Sequence, residues 1–528
     1  MTPVPAPAWH GPVHFLSDAC CGGLPVARVR SDRLAVPRKP DEEYLRELGY
    51  QPVLARRMKP FGNFAISVSV ISVLSGCMTL YGFGLITGGP AVMLWGWVVV
   101  GAMVMFVGSG LAEVTSAYPT SGALYYQAEQ LGGRKWGWVA GWLNLLGLLG
   151  AIAGIDYGAA LFTGAFLNLQ WGITPTPGKI MLVFLCILAL HLTLNLFGVR
   201  LVSILNSISV WWHAVGVLVI VGALAVVPSH HQPASFVFGE FVNNTGWSSP
   251  VYVMFLGLLL AQYTFCGYDA SAHLSEETTD AQVSAARGII HAIGWSWLAG
   301  FVLLAGLTFA IQDYAGTVAT GTGVPPAQIF LDAVGLTGAK LLLLVVIVAQ
   351  LFCGNAETAA ASRMVFAFSR DGALPGSAQW RQVDARTGTP RKAVLLAVVC
   401  AALLALPSLY SPVAYAAITS INVIGITPAY AIPIYLRVKN RDRFRPGPWN
   451  LGSWGVIVGV VAVVWVVFVT VLFCLPQTNP ISVDTFNYAP VALAVVLLLA
   501  WAWWHRQGSA YKVPVRDGSA AAFEGEVV

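Results

Sequence analysis

Charge is what this sequence has least of. Asp, Glu, Lys and Arg make up only 10% of 528 residues, against 57% apolar residues and a mean hydropathy of +0.70. A soluble chain of this length could not hide so much apolar surface, so a soluble globular protein is excluded and an integral membrane protein remains. The net charge of +5 is spread over loops, not gathered in a patch, which argues against nucleic acid as a partner. The eight cysteines show no disulfide spacing. Cys77, Cys186, Cys266, Cys353, Cys400 and Cys474 fall inside apolar runs, where Cys acts as a small hydrophobe. Cys20 and Cys21 lie in a polar arm and are expected to be reduced. No zinc-protease, phosphate-loop or paired Cys-x-x-Cys pattern occurs, so neither a metal nor a cofactor is expected. The first sixty residues hold no apolar run of signal-peptide type, so no cleaved leader is expected.

What is present is a series of bilayer-length apolar runs. About twelve are read, at 63–86, 91–116, 136–167, 179–197, 199–227, 251–273, 285–311, 340–368, 391–407, 412–437, 454–475 and 488–506. The expected organisation is a cytoplasmic arm over 1–60, with a short helix near Asp41–Gly49, then a core over 61–437. Spans 11 and 12 follow over 438–506, and a small, polar, disordered tail over 507–528. If both termini are cytoplasmic, 27 of the 29 Lys and Arg residues face inward, leaving only Lys179 and Lys340 outside. That asymmetry predicts cytoplasmic termini in the plasma membrane.

Two spans contain residues that lipid would not tolerate. The run from Phe255 to His273 enters as an apolar helix and then meets Gly267, Asp269, Ser271 and His273. Charge at this depth must face protein or a wet cavity. The predicted break lies at Cys266–Tyr268. In the first half of the chain, Ile66 to Gly84 is predicted to break at Ser75, Gly76 and Cys77, roughly 16 Å deep at helical rise. Interrupted spans in matching positions of two halves point to a transporter with inverted repeats. Backbone N–H groups freed at Ser75, Gly76 and Cys77 would suit a carboxylate. Carbonyls freed at Phe265, Cys266 and Gly267 would suit an ammonium. Against this stands a Gly76 used only for close helix packing.

The remaining polar residues each carry two readings. Tyr268 is a site aromatic or a core one. Asp269 contacts substrate, or else caps the inner half-helix or pairs with an Arg. Asp156 is an amine counter-ion or gate partner, or a buried acid bonded to backbone near Gly154 and Gly158. Glu113, at the inner end of span 2, is a gate or a snorkelling end-charge. Glu357, on the inner half of span 8, reads in the same way as a gate residue or as a structural one, with Arg363 as its partner. His213 lies about twelve residues above Arg200, roughly 18 Å deep. It reads as a proton-coupling site, or as a neutral His bonded to Ser209 or to a backbone carbonyl.

Several segments carry a resemblance. They are Ser75-Gly76 with Leu80-Tyr81-Gly82, Ala112-Glu113 with Tyr118 to Tyr126, Gly267 to His273 with Glu276-Glu277-Thr278, and Ser362-Arg363 with Phe368 to Pro375. Together they resemble the amino acid–polyamine–organocation superfamily, in its amino acid/choline transporter branch, over about 60–506. The pair Cys77-Met78 departs from the glycine-rich run that other members often show there. The resemblance implies an all-α membrane protein of the LeuT type, with spans 1–5 and 6–10 as inverted repeats, discontinuous spans 1 and 6, and peripheral spans 11 and 12. It implies a pocket between the two breaks, completed by spans 3, 8 and 10. It also implies a secondary transporter for an amino acid or small amine (GABA-like, choline-like or a polyamine), working with protons or sodium. An exchanger of the same fold is the alternative. A membrane-bound enzyme or a channel fits less well: no nucleophile–base pair is found, and a channel has no need of matched breaks.

Overall fold

A computed structural model describes residues 39–514, apart from 198, 412, 413, 483 and 484. Cys20, Cys21, the basic residues before Lys39 and the tail beyond residue 514 lie outside the described residues. The described chain is helical, with two isolated backbone bridges, Met58 to Thr278 and Thr87 to Asn243. Among the described residues, eleven helices are long and apolar enough to cross a membrane.

Span 1 runs as three pieces, Pro60–Ile71, Val73–Thr79 and Tyr81–Ile86. Span 2 is Gly89–Ala117, span 3 Arg134–Trp171, span 4 Pro177–Leu196 and span 5 Val199–Val226. Span 6 is also in pieces: Pro250–Leu256, Leu259–Thr264 and Ala270–His273. Span 7 is Ala281–Phe309, span 8 Pro325–Arg370, span 9 Arg391–Ala405 and span 10 Ala414–Lys439. Spans 11 and 12 are Gly455–Cys474 and Ala489–Gln507. Proline opens many of these helices, at Pro60, Pro90, Pro177, Pro250, Pro325 and Pro490. Its missing N–H costs nothing there and its fixed φ suits a helix start. Span 8 begins earlier than its hydropathy suggests, at Pro325, and bends at Gly335, whose φ of 70° is not helical.

Burial sorts the spans into layers. The apolar windows of spans 1, 3 and 10 are each 89% buried by protein, whereas that of span 12 is 11% buried. Spans 1, 3 and 10 with broken span 6 therefore form the centre. Leu218, Leu298, Val464 and Trp501 point outward from spans 5, 7, 11 and 12, on a surface only lipid tails would cover.

Both described ends lie on one side, called here the terminal face. Helix Asp41–Glu47 packs there: Tyr44 Oη donates to the Ala117 carbonyl at the end of span 2 (2.8 Å). The Asp41 carboxylate accepts the N–H groups of Asp280 (2.7 Å) and Ala281 (2.9 Å) at the start of span 7. From the other end, the Lys512 N–H donates to the Asp371 carbonyl (2.9 Å) and Arg134 donates to the Tyr511 carbonyl (2.7 Å). Residues 508–514, read from sequence as disordered tail, are thus tied to the core.

Candidate functional site between two broken helices

Span 1 breaks at Ser72, three residues before the predicted position. Ser72 has φ 35° and ψ 83°, a left-handed conformation that ends the first half-helix and opens the second. Ser75 and Gly76 are helical, and their N–H groups both donate to the Ser72 carbonyl (2.8 and 3.0 Å). They are not free, which corrects the expectation for these two residues. Gly76 is needed for close packing, since a Cβ there would overlap Thr264 of span 6. Cys77 is buried within the same half-helix.

Span 6 breaks where the sequence places it. Helix Leu259–Thr264 ends at Phe265, and Gly267 takes φ 94°. A Cβ at Gly267 would overlap Val70 of span 1, so the two breaks meet closely. The Gly267 N–H donates to Tyr430 Oη on span 10 (3.1 Å). Phe265 turns away from the break, its ring 4.4 Å from that of Trp97. Tyr268 packs on Tyr430, with ring centres 4.7 Å apart. The half-helices Pro60–Ile71 and Ala270–His273 are pinned by groups that sequence reading missed. Asn63 Nδ2 donates to the Ser271 carbonyl (2.9 Å) and Ser67 Oγ to the Tyr268 carbonyl (2.8 Å).

Between the breaks lies a cavity lined by five spans. Span 1 gives Val70, Ile71, Ser75 and Gly76, and span 3 gives Ala151 and Ile155. Span 6 gives Tyr263, Thr264, Cys266 and Gly267, span 8 gives Cys353 and Glu357, and span 10 gives Asn422 and Ile426. The volume open to the centre of a water-sized sphere is about 20 Å³, room for one or two waters. In this conformation the cavity is closed down around its lining, and an amino acid would require it to widen.

Several predicted site residues do not line this cavity. Asp269 is fully buried behind it, accepting from Tyr430 Oη (2.7 Å) and facing His273 Nε2 (3.2 Å). Its side chain does not cap the half-helix Ala270–His273, and its ionic neighbour among the described residues is His273, not an Arg. Asp156 points from span 3 to span 4, where His191 Nδ1 lies 2.9 Å from its carboxylate. Glu113 is buried, not snorkelling. Arg437 Nε is 2.7 Å away, and the Leu451 N–H donates to the same carboxylate (3.1 Å), so Glu113 joins span 2 to span 10 and to the loop before span 11. Glu357 is not paired with Arg363, because Arg363 binds Glu277 (2.8 Å). Instead Glu357 lines the cavity. His213 reaches the break of span 1. Its Nδ1 faces the Ser209 carbonyl (2.7 Å), which can only accept, so in the neutral ring Nε2 accepts from the Ser72 hydroxyl (2.7 Å). Among the described residues, no group of three or more His, Cys, Asp or Glu side chains could hold a metal.

Below the cavity, on the terminal face, a second set of acids is buried. Asp371 follows span 8 and accepts from Tyr50 Oη (2.8 Å) and Tyr125 Oη (2.7 Å). Burial pushes its carboxyl up to about 7. Burial likewise raises Glu129, on the short helix Ala123–Gly132, to about 7.

Two broken helices facing across one cavity are an arrangement that solute carriers use, and comparison with known proteins gives the same answer. Residues 60–499 match the model of a family described as amino acid permease. The chain is 40% identical over 481 residues to the amino-acid permease BAT1 of Arabidopsis thaliana, covering 87% of this chain and 93% of that protein. It is 30% identical over 474 residues to the GABA-specific permease of Saccharomyces cerevisiae, covering 87% and 83%. The chain belongs to the amino acid permease family. It is a multi-pass membrane transporter of amino acids, not an enzyme. In this permease the buried polar residues off the cavity are mostly joints between spans: Glu277–Arg363 ties span 8 to the turn that follows span 6, and Glu276–Arg370 (3.1 Å) repeats the tie about two turns further along span 8.

Proposed function

We propose that this permease is a secondary active transporter that moves an amino acid or related small amine by alternating access. The cavity between the breaks of spans 1 and 6 is its binding site. The observation that carries the reading is the meeting of two helix breaks across one cavity lined by spans 1, 3, 6, 8 and 10. A half-helix starts at Val73, and its first N–H groups, those of Val73 and Leu74, lack helical partners by position. They open the half-helix whose Ser75 and Gly76 line the cavity, and in this reading its N-terminal end, in place of the N–H groups of Ser75, Gly76 and Cys77, attracts the carboxylate. The Gly267 carbonyl accepts from the Ala270 N–H (3.1 Å), so the ammonium contact falls to the Phe265 and Cys266 carbonyls. Spans 1–5 and 6–10 form inverted repeats of the LeuT type, each opening on its broken helix. The terminal face is cytoplasmic and the protein resides in the plasma membrane, as the distribution of Lys and Arg supports.

Transport is coupled to protons through His213, with sodium as the rival ion. The support is its contact with Ser72. A proton taken up at Nε2 would turn that bond round and load the break of span 1 with charge. The test is His213→Gln, which keeps hydrogen bonding but cannot titrate. In proteoliposomes, the parent should take up amino acid faster when the outside is acidic, and the variant should lose that dependence. An equal response to the imposed pH gradient in the variant removes His213 from the mechanism.

A further inference from the structure

Glu357 lies one helical turn after Cys353, and both reach the cavity. Among the described residues of the lining it is the only Asp, Glu, His, Lys or Arg. Its side chain is fully buried, and neither carboxyl oxygen has a hydrogen-bond partner. Among the described residues it is the one acid with both oxygens buried and unpartnered. The buried cationic side chains are engaged elsewhere. Arg363 holds Glu277, Arg370 holds Glu276 and Arg437 holds Glu113. His191 faces Asp156, His273 faces Asp269, and His213 lies between Ser209 and Ser72. An uncompensated charge out of water is strongly unfavourable even after relaxation, so this carboxyl is electrically incomplete until a cation or a proton joins it.

Its surroundings favour the cation. A Cβ built on Gly267 would lie 3.9 Å from Glu357 Oε2, so the carboxyl sits beside the break of span 6. Carbonyl dipoles at the end of a half-helix also attract positive charge. Tyr263 Oη, buried and without a hydrogen-bond partner, lines the same space and can add a hydrogen bond. We propose that Glu357 is the cation receptor of this cavity: with the carbonyls of Phe265 and Cys266 it binds the ammonium of the transported molecule and restricts transport to amine-bearing solutes. The inference rests on the cavity being the transport site. It adds a charged side chain to a subsite otherwise made of backbone, and it predicts that solutes without an amine are refused.

The test uses the full chain in proteoliposomes with labelled alanine, lysine, 4-aminobutyrate and putrescine. The probe that the parent takes up with the lowest KM is carried forward. Its analogue lacking the amine (propionate for alanine, butyrate for 4-aminobutyrate) should fail to compete in the parent. Glu357→Gln should raise KM about tenfold or more, the loss expected for a hydrogen bond to a charged group, and Glu357→Asp should recover part of it. Equal competition by the deaminated analogue overturns the proposal while leaving the cavity reading in place. So does a Glu357→Gln KM within about twofold of the parent, on the same scale. If the parent takes up none of the four probes saturably, the cavity reading fails and the proposal with it. Should Glu357→Gln not fold, the competition experiment on the parent decides alone.

Discussion

Gly267 places the break of span 6 in a single residue. Its φ of 94° is open to Gly and strained for any other side chain, and a Cβ would also overlap Val70. Gly267→Ala should therefore destabilise the fold by about 1–3 kcal/mol from backbone strain alone, with the steric term added. Thermal unfolding in detergent should show the loss, and uptake should fall further than stability does, because the break itself is displaced. Unchanged unfolding and uptake would show that the break does not depend on glycine. Other residues were less legible. Gly76 attracts a predicted break because Gly leaves the helix easily, yet in membranes Gly more often serves close helix contact. The real break sits at Ser72, which its residue type does not advertise and which His213 holds from another span. The sequence pairs Arg363 with Glu357, but six residues turn a helix by about 240°, so the two side chains leave on different faces. That spacing was readable and sends Arg363 toward Glu277 instead.

The helices themselves were largely legible, since length and hydropathy alone mark most bilayer spans. Their subdivisions were not. The pause of span 6 between Leu256 and Leu259 and the bend of span 8 at Gly335 depend on packing that no local pattern reports. Nor could hydropathy show how the terminal face is built, where Asp371 and Glu129 are buried among tyrosines of several elements. Both carboxyls are raised to about 7 by burial, so the folded chain holds protons that the unfolded chain releases near pH 4. Their contribution is therefore intact below about pH 4, falls as pH climbs from about 4 to about 7, and is level above that. The melting temperature in detergent should drop between pH 5 and pH 8, and Glu129→Gln combined with Asp371→Asn should flatten the drop. A drop equally steep in the double variant would place the responsible groups elsewhere.

For the whole molecule, the layering follows from what each span can leave in lipid. Spans 1, 3, 6 and 10 carry polar side chains, spans 1 and 6 carry broken backbone as well, and all four are enclosed. Spans 11 and 12 carry little of either and remain at the rim. The sequence could name the two broken spans because each combines glycine with polar residues inside an apolar run. It could not name the cavity-facing residues of spans 3, 8 and 10, because which face of a membrane helix turns inward depends on its neighbours. The central claim, that solute crosses through the cavity between the two breaks, is tested most directly by counterflow in proteoliposomes. The vesicles are preloaded with an unlabelled amino acid that the parent accepts. Ala151 lines the cavity from span 3, so Ala151→Phe should plug it. Leu218 faces lipid from span 5, so Leu218→Phe should not. The account predicts labelled solute accumulating in vesicles with the parent and with Leu218→Phe, and none above background with a folded Ala151→Phe. Full counterflow by Ala151→Phe would contradict it.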